Sequence, residues 1–174
     1  MIEFKDHNVQ IYIVDDDNLL LRILRHKFET STKYKLFTFE SGEDFLDHFI
    51  KNPPSKKKLC ILLLDYQLKN KANKEARNGM EILKYTKEIN PNVHVIMHSG
   101  VSDINLAEKS IELGARTFIK KNENSFLRFN NQIKAIISDH IIEKKKRNSQ
   151  VTQYIFGGIL VLVAMLVAAH FLTD

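Results

Sequence analysis

Four apolar runs in this chain end in side chains that can do chemistry. Val9-Gln10-Ile11-Tyr12-Ile13-Val14 runs into Asp15, Asp16 and Asp17, and the six apolar residues 59–64 end at Asp65. Residues 93–98 deliver Ser99, and residues 116–120 deliver Lys121. A short apolar run suits a strand buried on both faces of a parallel sheet, where ligands collect at the carboxyl ends of the strands. With the runs side by side, one sheet edge presents a carboxylate cluster, a hydroxyl and an ammonium. Carboxylates about 4 Å apart repel by about 1 kcal/mol per pair in water and by several in a partly buried site, so the cluster calls for a cation. Hard oxygen ligands suit Mg2+, and a hydroxyl and an ammonium suit phosphate oxygens. The chemistry is magnesium-dependent phosphoryl transfer with a carboxylate acceptor.

The elements that must position these groups alternate. After the first strand, residues 18–28 read as an amphipathic helix through Leu20, Leu21, Leu24 and Phe28, with Asp17 as its N-cap. Residues 35–39 form a second strand, and Ser41-Gly42-Glu43-Asp44 opens a helix through Ile50. Pro53 and Pro54 hold 52–58 as a loop before the central strand. A Lys- and Asn-rich loop, 69–78, leads to Gly79 and a helix carrying Met80, Ile82, Leu83 and Ile89. Asp103 caps the next helix, which closes at Gly114, and Phe126, Phe129, Ile133, Ile136, Ile137 and Ile141 mark one face of a final helix over 125–142. Such alternation predicts a doubly wound α/β fold with a five-stranded parallel sheet.

Charge and composition narrow the partners. Residues 1–143 hold 22 Lys/Arg against 20 Asp/Glu, so most of the net charge of +5 comes from Lys144, Lys145, Lys146 and Arg147. No basic face is spread through the domain, which argues against nucleic acid as a partner. Cys60 is alone and sits inside an apolar run, and residues 1–8 are too polar for a signal peptide. His94 and His98 lack the companions of a transition-metal site and read as structural. Residues 154–172 contain no Asp, Glu, Lys or Arg. At ~1.5 Å per residue they extend roughly 28 Å, near the ~30 Å of a bilayer core. The expected organisation is a domain over 1–143, a basic juxtamembrane linker over 144–150 and a transmembrane helix over 151–172. Basic residues on the N-terminal side only place the domain on the cytoplasmic face of the inner membrane, as a single-pass C-terminal anchor. Gly157, Ala164 and Ala168 share nearly one face, where two copies could pair as a homodimer.

In order and in type, these residues resemble the receiver domain of two-component response regulators, over roughly residues 8–140. Ile13-Val14-Asp15-Asp16 is similar to that family's acidic pair, Asp65 to its phosphoacceptor, and His98-Ser99-Gly100 to its hydroxyl position. Gly114-Ala115-Arg116-Thr117-Phe118-Ile119-Lys120-Lys121 resembles the segment with the switch aromatic and the lysine. The resemblance implies a flavodoxin-like fold and assigns roles. Asp65 takes a phosphoryl group from a histidine kinase or histidine phosphotransfer protein. Asp15, Asp16, Asp65 and the backbone carbonyl of Gln67 hold Mg2+. Lys121 and Ser99 bind the phosphoryl group, and Phe118 swings inward behind it. The surface of the fourth helix, fifth strand and fifth helix then changes for a downstream protein partner. The domain is a signalling phosphoacceptor whose only enzymatic activity is self-modification.

The sequence departs from that family in three places. Lys69 and Asn122 stand where prolines are usual, and the loop over 69–78 is longer than usual. No effector region follows the domain, so output is expected through its surface or its membrane helix. Two other readings stay open: a docking module that keeps the fold without phosphorylation, and a phosphohydrolase with Asp15 as its nucleophile.

Overall fold

The computed structural model describes residues 8–55, 57–68, 76–101 and 103–173, with the side chains of 160–173 left out of the description. The chain divides into two compact units, Met1–Ile136 and Ile137–Asp174. The first holds five parallel strands, β1 (Val9–Val14), β2 (Lys35–Phe39), β3 (Leu59–Asp65), β4 (His94–Ser99) and β5 (Ala115–Lys120). Between them run α1 (Asn18–Ser31), α2 (Gly42–Lys51), α3 (Gly79–Ile89) and α4 (Ile104–Glu112), and α5 (Ser125–Thr173) follows β5. The strand order β2-β1-β3-β4-β5 is the doubly wound, flavodoxin-like arrangement expected from the alternation.

Every residue of β1 and of β3 is buried, which is why both read as unbroken runs. One face of the sheet carries Tyr12, Val14, Leu62, Leu64, Val95 and Met97 into a core with α2 and α3. Tyr12 stacks on Phe37 at 4.9 Å and meets Phe45 and Phe49 edge-on. The alternate residues Ile11, Ile13, Ile61, Leu63 and Ile96 point to the other face. Phe28 of α1 meets Phe126 of α5 at 5.1 Å.

The helix starts are chemically explicit. The Asp17 carboxylate accepts the Leu19 and Leu20 N–H groups, the N-cap role read from the sequence. Asn78, the last residue of the loop read over 69–78, and Glu81 of the helix form a reciprocal capping box at α3. Residues 69–75 of the long loop lie outside the described residues; its exit is tied down where the Arg77 N–H donates to Glu43 at 3.0 Å.

The first compact unit ends at Ile136, the last buried residue of α5 among the described side chains. The basic segment over 144–150 is helical, within α5. Among the described residues, no helix is long and apolar enough to cross a membrane. The greater part of the span expected over 151–172 falls on 160–172, outside the described side chains.

Gly79 lets α3 begin directly against the end of β3. Its N–H donates to the Tyr66 carbonyl at 2.9 Å, and a Cβ there would run into the Asp65 carbonyl oxygen and the Tyr66 Cα. Those are backbone atoms and cannot yield as a side-chain tip would. Gly79→Ala is expected to cost about 1–3 kcal/mol, as overpacking does. Chemical denaturation would show it as a lower midpoint at unchanged slope.

Candidate functional site

The site forms where β1 and β3 lie side by side and the chain winds in opposite directions from them, the switch point at which doubly wound sheets bind ligands. Asp15 stands one residue beyond β1, Asp65 ends β3, Ser99 ends β4 and Lys121 follows β5. The Asp15 and Asp65 side chains are 3 % and 2 % exposed. Asp16 is exposed, yet one carboxylate oxygen from each of Asp15, Asp16 and Asp65 lies within 4.8 Å of the others. Lys121 Nζ bridges the buried pair, 2.8 Å from Asp15 Oδ2 and 3.0 Å from Asp65 Oδ2. The Lys121 N–H donates to the Ser99 carbonyl at 2.7 Å, so β4 holds the lysine in place.

The two buried acids are not equivalent. Asp15 Oδ1 accepts the Asp17 N–H at 3.0 Å and its Oδ2 meets Lys121, with His98 Nδ1 3.9 Å away. Burial would raise the Asp15 pKa, but His98, Lys121 and the Asp17 amide outweigh it and hold the group below its ordinary value. At Asp65, burial and the Asp15 charge raise the pKa, and Lys121 and the Gln67 amide recover only part of that. Burial opposes the Lys121 charge, but the two carboxylates win and raise its pKa. Asp65 Oδ1 is buried and has no hydrogen-bond partner among the described residues.

An orphaned buried carboxylate oxygen beside two further acids fits a divalent cation with hard oxygen ligands. Ser99 is fully buried, and its Oγ accepts the Val101 N–H at 3.1 Å. Phe118 lies opposite Met97 in the β4–β5 register, half-buried against the core. The Gln67 side chain is exposed two residues past Asp65. Lys144, Lys145, Lys146 and Arg147 belong to the second unit and are exposed.

The sequence reading took His98 as structural and gave it no part in the site. It is buried, and it pairs in register with Asp65 across β3 and β4. Strand register is the signal that identifies it, because neighbours in register share a face.

The sign of the Asp65 shift sets a stability effect. A pKa raised on folding means that ionised Asp65 opposes folding, a cost absent below the unfolded value of about 3.9 and developed as pH rises through the folded value. Asp15, with its depressed pKa, contributes the reverse: stability present above the unfolded value and lost as pH falls through the folded one. Like charges within 4.8 Å repel by roughly 3–4 kcal/mol at an effective dielectric of ~20, and Lys121 offsets part of this. Without divalent cations at pH 7, Asp65→Asn should raise Tm by roughly 3–6 °C. Thermal denaturation should show the gain vanishing below about pH 4 and narrowing in millimolar Mg2+.

The comparisons with known proteins agree with this geometry. The family model described as "Response regulator receiver domain" matches residues 11–128. The chain is 32 % identical over 114 residues to sporulation initiation phosphotransferase F of Bacillus subtilis, covering 66 % of this chain and 82 % of that protein. It is 30 % identical over 111 residues to response regulator protein TodT of Pseudomonas putida, covering 64 % of this chain but 44 % of the relative. Among solved structures, the BeF3-activated DrrB receiver domain superposes with a TM-score of 0.60 at 26 % identity, over 74 % of this chain and 97 % of that one. A CheY-like receiver domain protein from Methanospirillum hungatei shares the fold, with a TM-score of 0.63 at 22 % identity over 77 % of this chain and 97 % of that one. The acid pair beyond β1, the aspartate ending β3 and the lysine beyond β5 thus lie on a chain that belongs to the response regulator receiver domain family.

Proposed function

We propose that this receiver domain accepts a phosphoryl group on Asp65 from a histidine kinase or histidine phosphotransfer protein. The observation that carries the reading is the buried Oδ1 of Asp65, unpartnered among the described residues, beside an oxygen already held by Lys121. That carboxylate attacks the phosphorus of a phosphohistidine, and the P–N bond breaks. The electron pair stays on the leaving imidazole nitrogen, which takes a proton from solvent. Mg2+, when bound, neutralises charge on the phosphoryl oxygens and the acid cluster. Asp15, Asp16, Asp65 and the Gln67 carbonyl would hold it. Lys121 pairs with a phosphoryl oxygen in exchange for its carboxylate contacts, and Ser99 turns its hydroxyl toward another. The chain acts as a signalling phosphoacceptor and not as an enzyme of turnover.

Output follows from the same edge. Ser99 and Lys121 sit at the ends of β4 and β5, so drawing them toward a phosphoryl group pulls on both flanks of α4, with Phe118 moving inward behind. Ile104 and Ile111 of α4 are 76 % and 47 % exposed, apolar area for a downstream protein on the α4-β5-α5 surface. Leu19, 67 % exposed on α1 next to the acid cluster, offers similar area to the phosphodonor.

The reading extends to the membrane. Residues 154–172 without a formal charge, preceded by Lys144, Lys145, Lys146 and Arg147, support a C-terminal helix in the inner membrane with the receiver on its cytoplasmic side. The basic cluster adds attraction to anionic lipid of about 1 kcal/mol per residue near the surface.

With Mg2+ and acetyl phosphate, intact-mass measurement should find one base-labile phosphoryl adduct, absent from Asp65→Asn. An adduct that survives in that variant and disappears in Asp15→Asn would favour the hydrolase reading, and none under any donor the docking module. In a vesicle flotation assay the full chain should rise with liposomes and resist extraction by 1 M salt. Release by salt would reduce the tether to surface electrostatics.

A further inference from the structure

His98 is 3 % exposed and stands behind the acid pair on the sheet face that meets α5. Its carbonyl accepts the Tyr66 N–H at 2.9 Å, and its ring meets Phe129 edge-on at 4.7 Å. Nδ1 faces Asp15 Oδ2 at 3.9 Å, and Nε2 lies 3.2 Å from Ser125 Oγ. Ser125, the first residue of α5, is also buried. Its Oγ accepts the Asn122 N–H at 2.8 Å and lies 3.4 Å from the Lys120 carbonyl. One hydroxyl therefore ties the residues on either side of Lys121 to the imidazole behind Asp15.

The donor count selects an arrangement. A serine hydroxyl has one proton and two acceptor sites, and Asn122 uses one of the acceptor sites. His98 Nε2 at 3.2 Å and the Lys120 carbonyl at 3.4 Å compete for that proton, and the shorter contact assigns it to the imidazole. That leaves the ring proton on Nδ1, aimed at Asp15, the tautomer assigned from the network. A leucine or phenylalanine would fill the same space between the sheet and Phe129 without a polar N–H facing the carboxylate at 3.9 Å, a contact longer than a hydrogen bond. Donors behind a ligating carboxylate fix its orientation, and removing them typically weakens metal binding 10- to 100-fold.

We propose that His98 is a positioning residue for Asp15, anchored by Ser125, and that the His98–Ser125 bond carries occupancy of the acidic site to the start of α5. This rests on the reading of Asp15, Asp16 and Asp65 as a magnesium site. The same bond gives the loop around Lys121 and the carboxylate opposite it a common support. A shift of Asp15 on cation binding then reaches the Asn122 and Ser125 amides without passing through Asp65.

The test uses the full chain, with Mg2+ binding followed by calorimetry and by 15N amide resonances. His98→Leu keeps the volume and removes the donor; it should weaken Mg2+ binding about ten-fold and abolish the Mg2+-dependent displacement of the Asn122 and Ser125 resonances. His98→Asn, which keeps a donor near Nδ1, should recover most of the affinity. A merely space-filling histidine gives the reverse, with Leu binding like the unsubstituted chain and Asn weakened, and that result overturns the proposal. Should His98→Leu fail to fold, Ser125→Ala breaks the other end of the link. It should loosen Mg2+ binding roughly three-fold, below the 10- to 100-fold range because the imidazole itself remains; unchanged affinity there overturns the proposal too. If the unsubstituted chain binds no Mg2+, the magnesium-site reading fails and takes this inference with it, an outcome distinct from normal binding that is indifferent to His98.

Discussion

Two carboxylates buried side by side repel, and much of the domain is arranged to hold them there. Asp15 and Asp65 are each 2 % exposed as whole residues, so water screens their repulsion poorly. Lys121 bridges them, and the lysine is held in turn by the Ser99 carbonyl of the neighbouring strand. Asp17 spends its backbone N–H on Asp15 while its carboxylate caps α1, so one short segment serves both the helix start and the site. Gly79 brings α3 close against the Asp65 carbonyl, which fixes the backbone from which the second acid projects. A site under this strain gains most from a cation, which replaces repulsion by attraction at every carboxylate.

Much of this was legible in the sequence, and the parts that were not share a cause. The buried runs of β1 and β3, the cap at Asp17 and the acids, hydroxyl and lysine at strand ends all depend on local pattern. His98 and Ser125 do not. Each is an ordinary polar residue until the register of β4 against β3 and the packing of α5 bring them together, and both are tertiary facts. The capping box at Asn78 and Glu81 was hidden for another reason: a polar, Lys- and Asn-rich stretch reads as loop up to the residue where the helix begins. The compact unit ends at Ile136 although apolar residues continue at helical spacing beyond it, at Ile137 and Ile141. Spacing tells which face is apolar and not how far a neighbour covers it.

The competing nucleophiles can be weighed by what each carboxylate is free to do. A phosphohydrolase built on the first strand needs Asp15 to present an oxygen to phosphorus. Both oxygens of Asp15 are engaged, one by the Asp17 amide and the other by Lys121, and its pKa is held low. Those are the attributes of a fixed anionic ligand and of a poor nucleophile. Asp65 has one oxygen without a partner among the described residues, and burial and the neighbouring charge make it the more basic acid. A more basic carboxylate attacks phosphorus more readily. A domain kept only for docking has no need to maintain that difference, since replacing Asp65 would relieve the repulsion and stabilise the fold. The inequality between two residues of the same type is therefore the strongest physical argument that Asp65 accepts and Asp15 assists.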